Sequence, residues 1–338
     1  MKALLYPDFE SLVLADLPRP APGAGEVLVR VAACGLCGSE LESYKTRSTR
    51  RKPPLVFGHE FCGTVDSCGD GVDASWTGRR VVVNALVPCG ACVRCRRGDD
   101  HLCAGRQIFG MHRPGAFAEF VAAPVGVLLD WPEELPAEAA CLAEPLGNGV
   151  HMVKLTRGRP RENVLVIGAG PIGLMAQQAF RALAGSRVWV ADLDPGRLEV
   201  ARRLGAAGVI RSRDEDPVEA IRRATSGEGA DIVIDAVGAG VTKRQSVEAC
   251  RPGGATVWIG LHEDSLQLDS YRVTLPEVSV LGTYGAQMED LAGAIALMKD
   301  SRVDVTSWTS RYPLDNSVNA FHTMLRPGPG DTKAVIVP

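Results

Sequence analysis

The segment Glu162–Phe180, ENVLVIGAGPIGLMAQQAF, decides the fold. Its opening run of Val, Leu, Val and Ile reads as a buried strand, and the glycines that end it lead into a helical pattern. Gly168, Gly170 and Gly173 form G-x-G-x-x-G in the strand–turn–helix context that a dinucleotide fingerprint requires. The first glycine allows the tight turn, the second lets the backbone approach a pyrophosphate, and the third lets the helix pack on the sheet. The next strand, SRVWVAD, ends at Asp192, about twenty residues beyond the last glycine. A carboxylate there binds both hydroxyls of an adenosine ribose and repels a ribose phosphate, so NAD is expected rather than NADP. Arg197 pulls the other way, because an arginine nearby can accommodate a phosphate. Its expected role is that of a solvated helix residue or a ribose contact.

Outward from this segment, ADIVIDAVG, GATVWIG and VSVLGTYG read as further strands, alternating with helical stretches such as PVEAIRRATS and MEDLAGAIALMKD. That alternation predicts an α/β, doubly wound parallel-sheet Rossmann domain over residues 146–285. Residues 1–145 carry many short strands punctuated by Gly and Pro, the pattern of a β-rich domain of barrel type. Residues 286–338, ending DTKAVIVP, read as helix, loop and a last strand that returns to the first domain.

The 338 residues are 46% hydrophobic, enough for two buried cores, and a formal net charge of -3 with no basic tract offers nothing to nucleic acid or an anionic membrane. Charges and prolines fill the N-terminus where a signal peptide needs an apolar stretch. The longest apolar run is broken by glycines and a proline, so no membrane span is expected. A cytoplasmic protein follows, in which ten cysteines stay reduced rather than forming a disulfide framework.

CGACVRCRRGDDHLC spaces Cys89, Cys92, Cys95 and Cys103 as C-x2-C-x2-C-x7-C. Four thiolates complete a tetrahedral zinc shell and leave no open position, which makes the lobe 89–103 a structural site. His101 competes with Cys103 for the last place, but the regular spacing favours the four sulfurs. Upstream, Cys37 and the adjacent His59 and Glu60 offer one sulfur, one nitrogen and one oxygen. A mixed set of three is what a catalytic zinc needs, since its fourth position must stay open. Glu144 is a carboxylate in the apolar stretch CLAEPLGNGVHMV, where a cation would compensate its burial.

Taken together, CGSE at Cys37, GHE at Gly58, the four-cysteine lobe, GAGPIG, ADLD at Ala191 and RPGG at Arg251 resemble the zinc-containing medium-chain alcohol dehydrogenases over nearly the whole chain. GHE with EPLGN at Glu144 is similar to the sorbitol, threonine and aminocyclitol dehydrogenase branch. The resemblance implies a GroES-like catalytic domain joined to the Rossmann domain, with the active site in the cleft between them. It implies two zinc ions per chain: one structural, and one catalytic at Cys37, His59 and Glu60, with Glu144 as an alternative or exchanging ligand. NAD is expected on Gly168, Gly170, Pro171, Ile172, Gly173, Asp192 and Arg197.

The implied reaction moves a hydride between NAD(H) and a secondary alcohol or ketone: a polyol, an amino polyol or a β-hydroxy amino acid. Ser39 matches the family hydroxyl that takes the alcohol proton toward the nicotinamide ribose. Glu42 stands where many relatives carry histidine, so proton exit uses that carboxylate or water. A biosynthetic zinc reductase of a carbonyl or conjugated double bond is the rival enzyme, and an NAD-binding regulatory protein is the rival outside enzymes. Cys34, Cys62, Cys68, Cys141 and Cys250 read as small buried hydrophobes. The basic run of Lys45, Arg47, Arg50, Arg51 and Lys52 reads first as a solvated loop and second as a phosphate- or carboxylate-recognising segment. His112 and Tyr284 are possible pocket walls, and a homodimer or homotetramer is expected.

Overall fold

The computed structural model describes residues 1–328 and 330–338. Six strands form one parallel sheet in the spatial order Gly208–Arg211, Arg187–Asp192, Asn163–Ile167, Ala230–Asp235, Cys250–Trp258 and Ser279–Gly282. Numbered within the sheet this order is 3-2-1-4-5-6, the dinucleotide-binding arrangement, and every neighbouring pair is parallel. The strand Ala230–Asp235 is buried at all six positions, because helices cover both faces.

The first 145 residues together with the C-terminal stretch from Thr309 build the β-rich part. Its main sheet runs through the strands Leu128–Asp130, Arg80–Val83, Glu60–Cys68, Glu26–Gly35, Lys333–Val337 and Thr309–Pro313, with Phe120–Pro124 also paired to Glu26–Gly35. A smaller sheet joins Val13–Asp16, Lys2–Tyr6 and Leu55–Val56. Tyr6, Phe57, Phe61, Phe109, Phe117 and Phe321 are fully buried in this part.

Two chain crossings tie the parts together. The helix Ala143–Leu155 leads out of the β-rich part and packs on the helix Pro171–Ala184 behind the glycine turn. The helix Met288–Lys299 lies on Ala143–Leu155, and its Ala294, Ile295, Leu297 and Met298 share one core with Val164, Val166 and Ile232 of the parallel sheet. Packing with that sheet therefore extends past residue 285. The last strand, Lys333–Val337, returns to the β-rich part and pairs antiparallel with Glu26–Gly35, setting Val335 opposite Gly35. The neighbouring pair on the other side is Gly35 with Glu60. Three distant segments thus meet at one glycine.

Candidate active site

Cys37 caps the helix Gly38–Lys45 where the strand Glu26–Gly35 ends. His59 and Glu60 lie at the start of the neighbouring strand Glu60–Cys68, so pairing of the two strands delivers both to Cys37. Donor atoms of Cys37, His59 and Glu60 all lie within 4.8 Å of one another. Gly58, just ahead, has φ +103° and backs onto the Phe117 and Ala116 amides, where a Cβ would come within 2.7 Å of Phe117 N. Only glycine turns the chain into His59 that tightly.

Two partners of this cluster have no counterpart among the expected site residues. Glu40 is fully buried and accepts the Cys37 amide at 3.0 Å and the Gly58 amide at 2.8 Å, with His59 Nδ1 at 2.9 Å. A carboxylate on Nδ1 fixes the ring and leaves Nε2 to face a metal, the usual support of a metal-ligating histidine. Burial pushes His59 down, but Glu40 and Cys37 outweigh it and hold the imidazole well above its usual pKa. The second partner is Lys333, 1% exposed, whose Nζ lies 2.5 Å from Glu60 Oε2. That approach is an ion pair without hydrogen-bond geometry, so Glu60 Oε2 stays buried without a hydrogen-bond partner. Gly35 makes the approach possible: a Cβ there would sit 2.2 Å from Glu60 Oε2 and 3.2 Å from Lys333 Cε.

A half-buried sulfur, a buried imidazole nitrogen and a buried carboxylate oxygen with no hydrogen-bond partner beyond its ion pair fit a zinc ion with an open position. Bound there, zinc supplies a Lewis acid that lowers the pKa of an alcohol hydroxyl. Glu144, in the first turn of Ala143–Leu155, falls outside the set of mutually close donors. Burial and the neighbouring Glu60 push its carboxyl up to about 7, and Asn148 Nδ2 reaches its Oε1 at 3.5 Å.

Ser39 Oγ donates to Cys37 Sγ at 3.3 Å and accepts from Arg51 Nη2 at 3.0 Å. Arg51 is 4% exposed and also donates to the Ser39 and Gly110 carbonyls and to Ser43 Oγ, each at 3.0 Å. The solvated reading of the basic run is therefore wrong for Arg51, which is built into the floor of the site. Arg47 pairs on the surface with Glu10.

The four lobe sulfurs lie within 4.8 Å of one another, with separations of 3.5 Å for Cys92–Cys95, 3.8 Å for Cys92–Cys103 and 4.0 Å for Cys89–Cys95. A tetrahedral zinc with bonds of about 2.3 Å sets its sulfurs about 3.8 Å apart, so the donor set fits. The backbone N–H of Cys95 and its side chain pull the Cys92 thiol down to about 6. His101 is not among the mutually close donors, and its ring meets His151 edge-on at 4.9 Å. All ten cysteines are free thiols; Cys34, Cys62, Cys141 and Cys250 are buried, while Cys68 is half-buried.

At the glycine turn, Gly168 has φ +100°, and a Cβ on Gly173 would fall 1.8 Å from Gly168 O, which is why the helix can seat so close to the strand. Gly170 caps the helix and has open space where a Cβ would stand, with Pro171 and Ile172 in the first turn. Asp192 accepts the Ala169 amide at 2.6 Å and the Asp194 amide at 2.8 Å. Arg197 Nε is buried without a hydrogen-bond partner. An open helix N-terminus, a carboxylate beside it and an unpartnered guanidinium nitrogen fit a dinucleotide.

A parallel sheet ending in an open glycine turn, joined to a β-rich domain with two metal-fitting clusters, defines a zinc-dependent nicotinamide dehydrogenase. Residues 23–133 match the alcohol dehydrogenase GroES-like domain, and residues 171–300 match the zinc-binding dehydrogenase domain. L-threonine 3-dehydrogenase of Saccharopolyspora erythraea is 34% identical over 316 residues, covering 92% of each chain. An Escherichia coli alcohol dehydrogenase solved with NADH superposes with TM-score 0.92 at 26% identity, over 100% of this chain and 99% of that one. A zinc-binding dehydrogenase of Sinorhizobium meliloti solved with NADP gives 0.91 at 28% identity, with the same coverage.

The chain belongs to the zinc-containing medium-chain alcohol dehydrogenases. It is an enzyme, an NAD-linked oxidoreductase acting on a hydroxyl-bearing small molecule. No helix among the described residues is long and apolar enough to cross a membrane.

Proposed function

We propose that the protein oxidises a secondary alcohol whose neighbouring carbon carries another hydroxyl or an amino group, a polyol, amino polyol or β-hydroxy amino acid. The observation that carries the reading is the second carboxylate: Glu144 lies outside the mutually close Cys37–His59–Glu60 set but near enough for the charges of His59 and Glu60 to act on its carboxyl. In this reading Cys37, His59 and Glu60 hold the catalytic zinc, and Glu144 is the exchanging carboxylate, able to accept a hydrogen bond from the donor next to the reacting carbon. Two thiolates in place of the carboxylates would offer only weak sulfur acceptors. Ser39 takes the alcohol proton, and Arg51 orients its hydroxyl. Cys89, Cys92, Cys95 and Cys103 hold the structural zinc. NAD sits on the turn Gly168–Gly173, with its ribose hydroxyls on Asp192, and is preferred to NADP. The similarity to a threonine dehydrogenase supports the substrate class without choosing within it.

The enzyme works in the cytoplasm as a homodimer or homotetramer. Support for the assembly comes from the strand Ser279–Gly282, an edge of the parallel sheet, beside which Tyr271, Leu275 and Val280 are exposed. An open edge with apolar side chains suits pairing with a second copy.

NADH formation over a panel of plain secondary alcohols, polyols, aminocyclitols and threonine tests the reading. Turnover should rise with vicinal donors. Oxidation of 2-butanol as efficiently as every vicinal compound would refute it.

A further inference from the structure

The basic run ahead of His59 splits into three fates in the fold: Arg47 pairs with Glu10, Arg51 is buried under Ser39, and Arg50 and Lys52 line a cavity of about 490 Å³. The cavity draws on three parts of the chain. Arg50 and Lys52 come from the loop before His59, Arg106 and His112 from the stretch after the lobe, and Tyr284 from the turn after the last parallel strand. It therefore spans the β-rich part and the coenzyme-side sheet. One side chain links it to the site: Arg51 donates to Ser39 Oγ and also to the carbonyl of Gly110, which lies between the lining residues Ile108 and Met111.

Its walls are arranged rather than loose. Arg50 Nη2 donates to the Tyr284 hydroxyl at 3.1 Å, and the guanidinium carbons of Arg50 and Arg106 lie 5.8 Å and 5.2 Å from the Tyr284 ring centre. Arg106 is anchored by a 3.0 Å bond to the Cys103 carbonyl, while its buried Nε has no hydrogen-bond partner. His112 Nδ1 accepts the Ile108 amide, which puts the ring's proton on Nε2 as a donor. Burial, then the charges of Arg106, Arg50 and Arg51, hold His112 below its usual pKa, so it adds a donor without adding charge. No carboxylate lines the cavity, and among the described residues Arg50, Lys52 and Arg106 form no ion pair. Three converging cations with no counter-charge call for an anionic occupant. A larger cavity of about 600 Å³, lined by Glu134, Arg181 and Asp304 among others, mixes both signs and so makes no such demand.

We propose that this cavity binds a phosphomonoester on the substrate, so that the alcohol oxidised is a phosphorylated polyol. The inference rests on the polyol reading above and narrows it. A phosphomonoester carries close to two negative charges and three acceptor oxygens, which matches two guanidinium forks and an ammonium. A single carboxylate would leave most of that charge unanswered.

The test compares matched pairs, sorbitol 6-phosphate against sorbitol and glycerol 3-phosphate against glycerol, with the zinc-loaded enzyme and NAD. At least one pair should show kcat/KM about tenfold or more in favour of the phosphorylated member, carried by KM. Arg50→Gln and Arg106→Gln should each reduce that ratio about tenfold, whereas Arg47→Gln, outside the cavity, should leave it unchanged. Calorimetry with inorganic phosphate on the NAD-loaded enzyme gives a readout independent of turnover. NAD then covers the glycine turn, and the heat of binding should vanish in the Arg50→Gln/Arg106→Gln double variant. Ratios near one together with no phosphate binding would overturn the proposal, as would loss of threonine rather than polyol-phosphate turnover in the arginine variants. Phosphate binding that the double variant abolishes, in an enzyme that oxidises no alcohol of the panel, would support the anion site and refute the polyol reading alone.

Discussion

Replacing Lys333 by Met should destabilise the zinc-free protein and tighten its hold on catalytic zinc. Lys333 and Glu60 are each 1% exposed and 2.5 Å apart, so in the absence of metal the ammonium is the nearest compensation for that carboxylate. Burial opposes a charged lysine, yet Glu60 and Cys37 raise its pKa, so the ammonium form is the one that occupies the site. Methionine has a similar volume, which confines the change to charge. Breaking a buried pair by removing one partner costs about 3–5 kcal/mol, because the other charge is stranded. Zinc brings two positive charges to the same oxygen, so the loaded variant escapes most of this cost. The difference appears as affinity. At about 1.4 kcal/mol per tenfold, full recovery makes zinc bind about two to three and a half orders of magnitude more tightly. Competition against a chromophoric chelator measures the affinity of the weaker of the two metal equivalents, and urea unfolding of the metal-stripped protein measures stability. Lys333→Arg should behave like the parent chain in both. A Met variant with parental apo stability, or one that holds zinc more weakly, would refute the reasoning.

Two zinc ions per chain with separable roles are expected: Cys95→Ser should lower stability and halve the metal content, and His59→Ala should abolish turnover while leaving the fold intact by circular dichroism. Metal analysis finding one zinc or none in the parent protein would contradict this. Asp192→Ala should weaken NAD binding and narrow the preference over NADP, since it removes the acceptor of the ribose hydroxyls. Equal kcat/KM for the two coenzymes in the parent protein would show that Arg197 overrides the carboxylate.

The strand, turn and helix around Gly168, Gly170 and Gly173, and the strand ending at Asp192, were legible from the sequence because they are local, lying within one βαβ unit. The clustering of the four lobe sulfurs was legible for the same reason, since a short loop with zinc-ligand spacing brings them together by itself. Cys37, His59 and Glu60 could be picked out by residue type, because few other roles gather sulfur, imidazole and carboxylate in two short motifs. Glu40 carried a faint signal, its three-residue offset from Cys37 at a helix start, which fits a cap as readily as a histidine partner. Lys333 carried almost none. It opens an apolar strand about 270 residues from Glu60, and only the return of that strand beside Gly35 brings the two charges together. Arg50, Arg51 and Lys52 are adjacent in sequence yet divide between a buried hydrogen-bond hub and a cavity wall. Side-chain periodicity predicts faces of a helix or strand, but in an irregular loop the surrounding packing decides which side chain is buried. What the sequence by itself determined was each chemistry confined to neighbouring residues. The tertiary structure alone decided where charges from distant segments are compensated, because that depends on strand register and on the space a missing Cβ leaves.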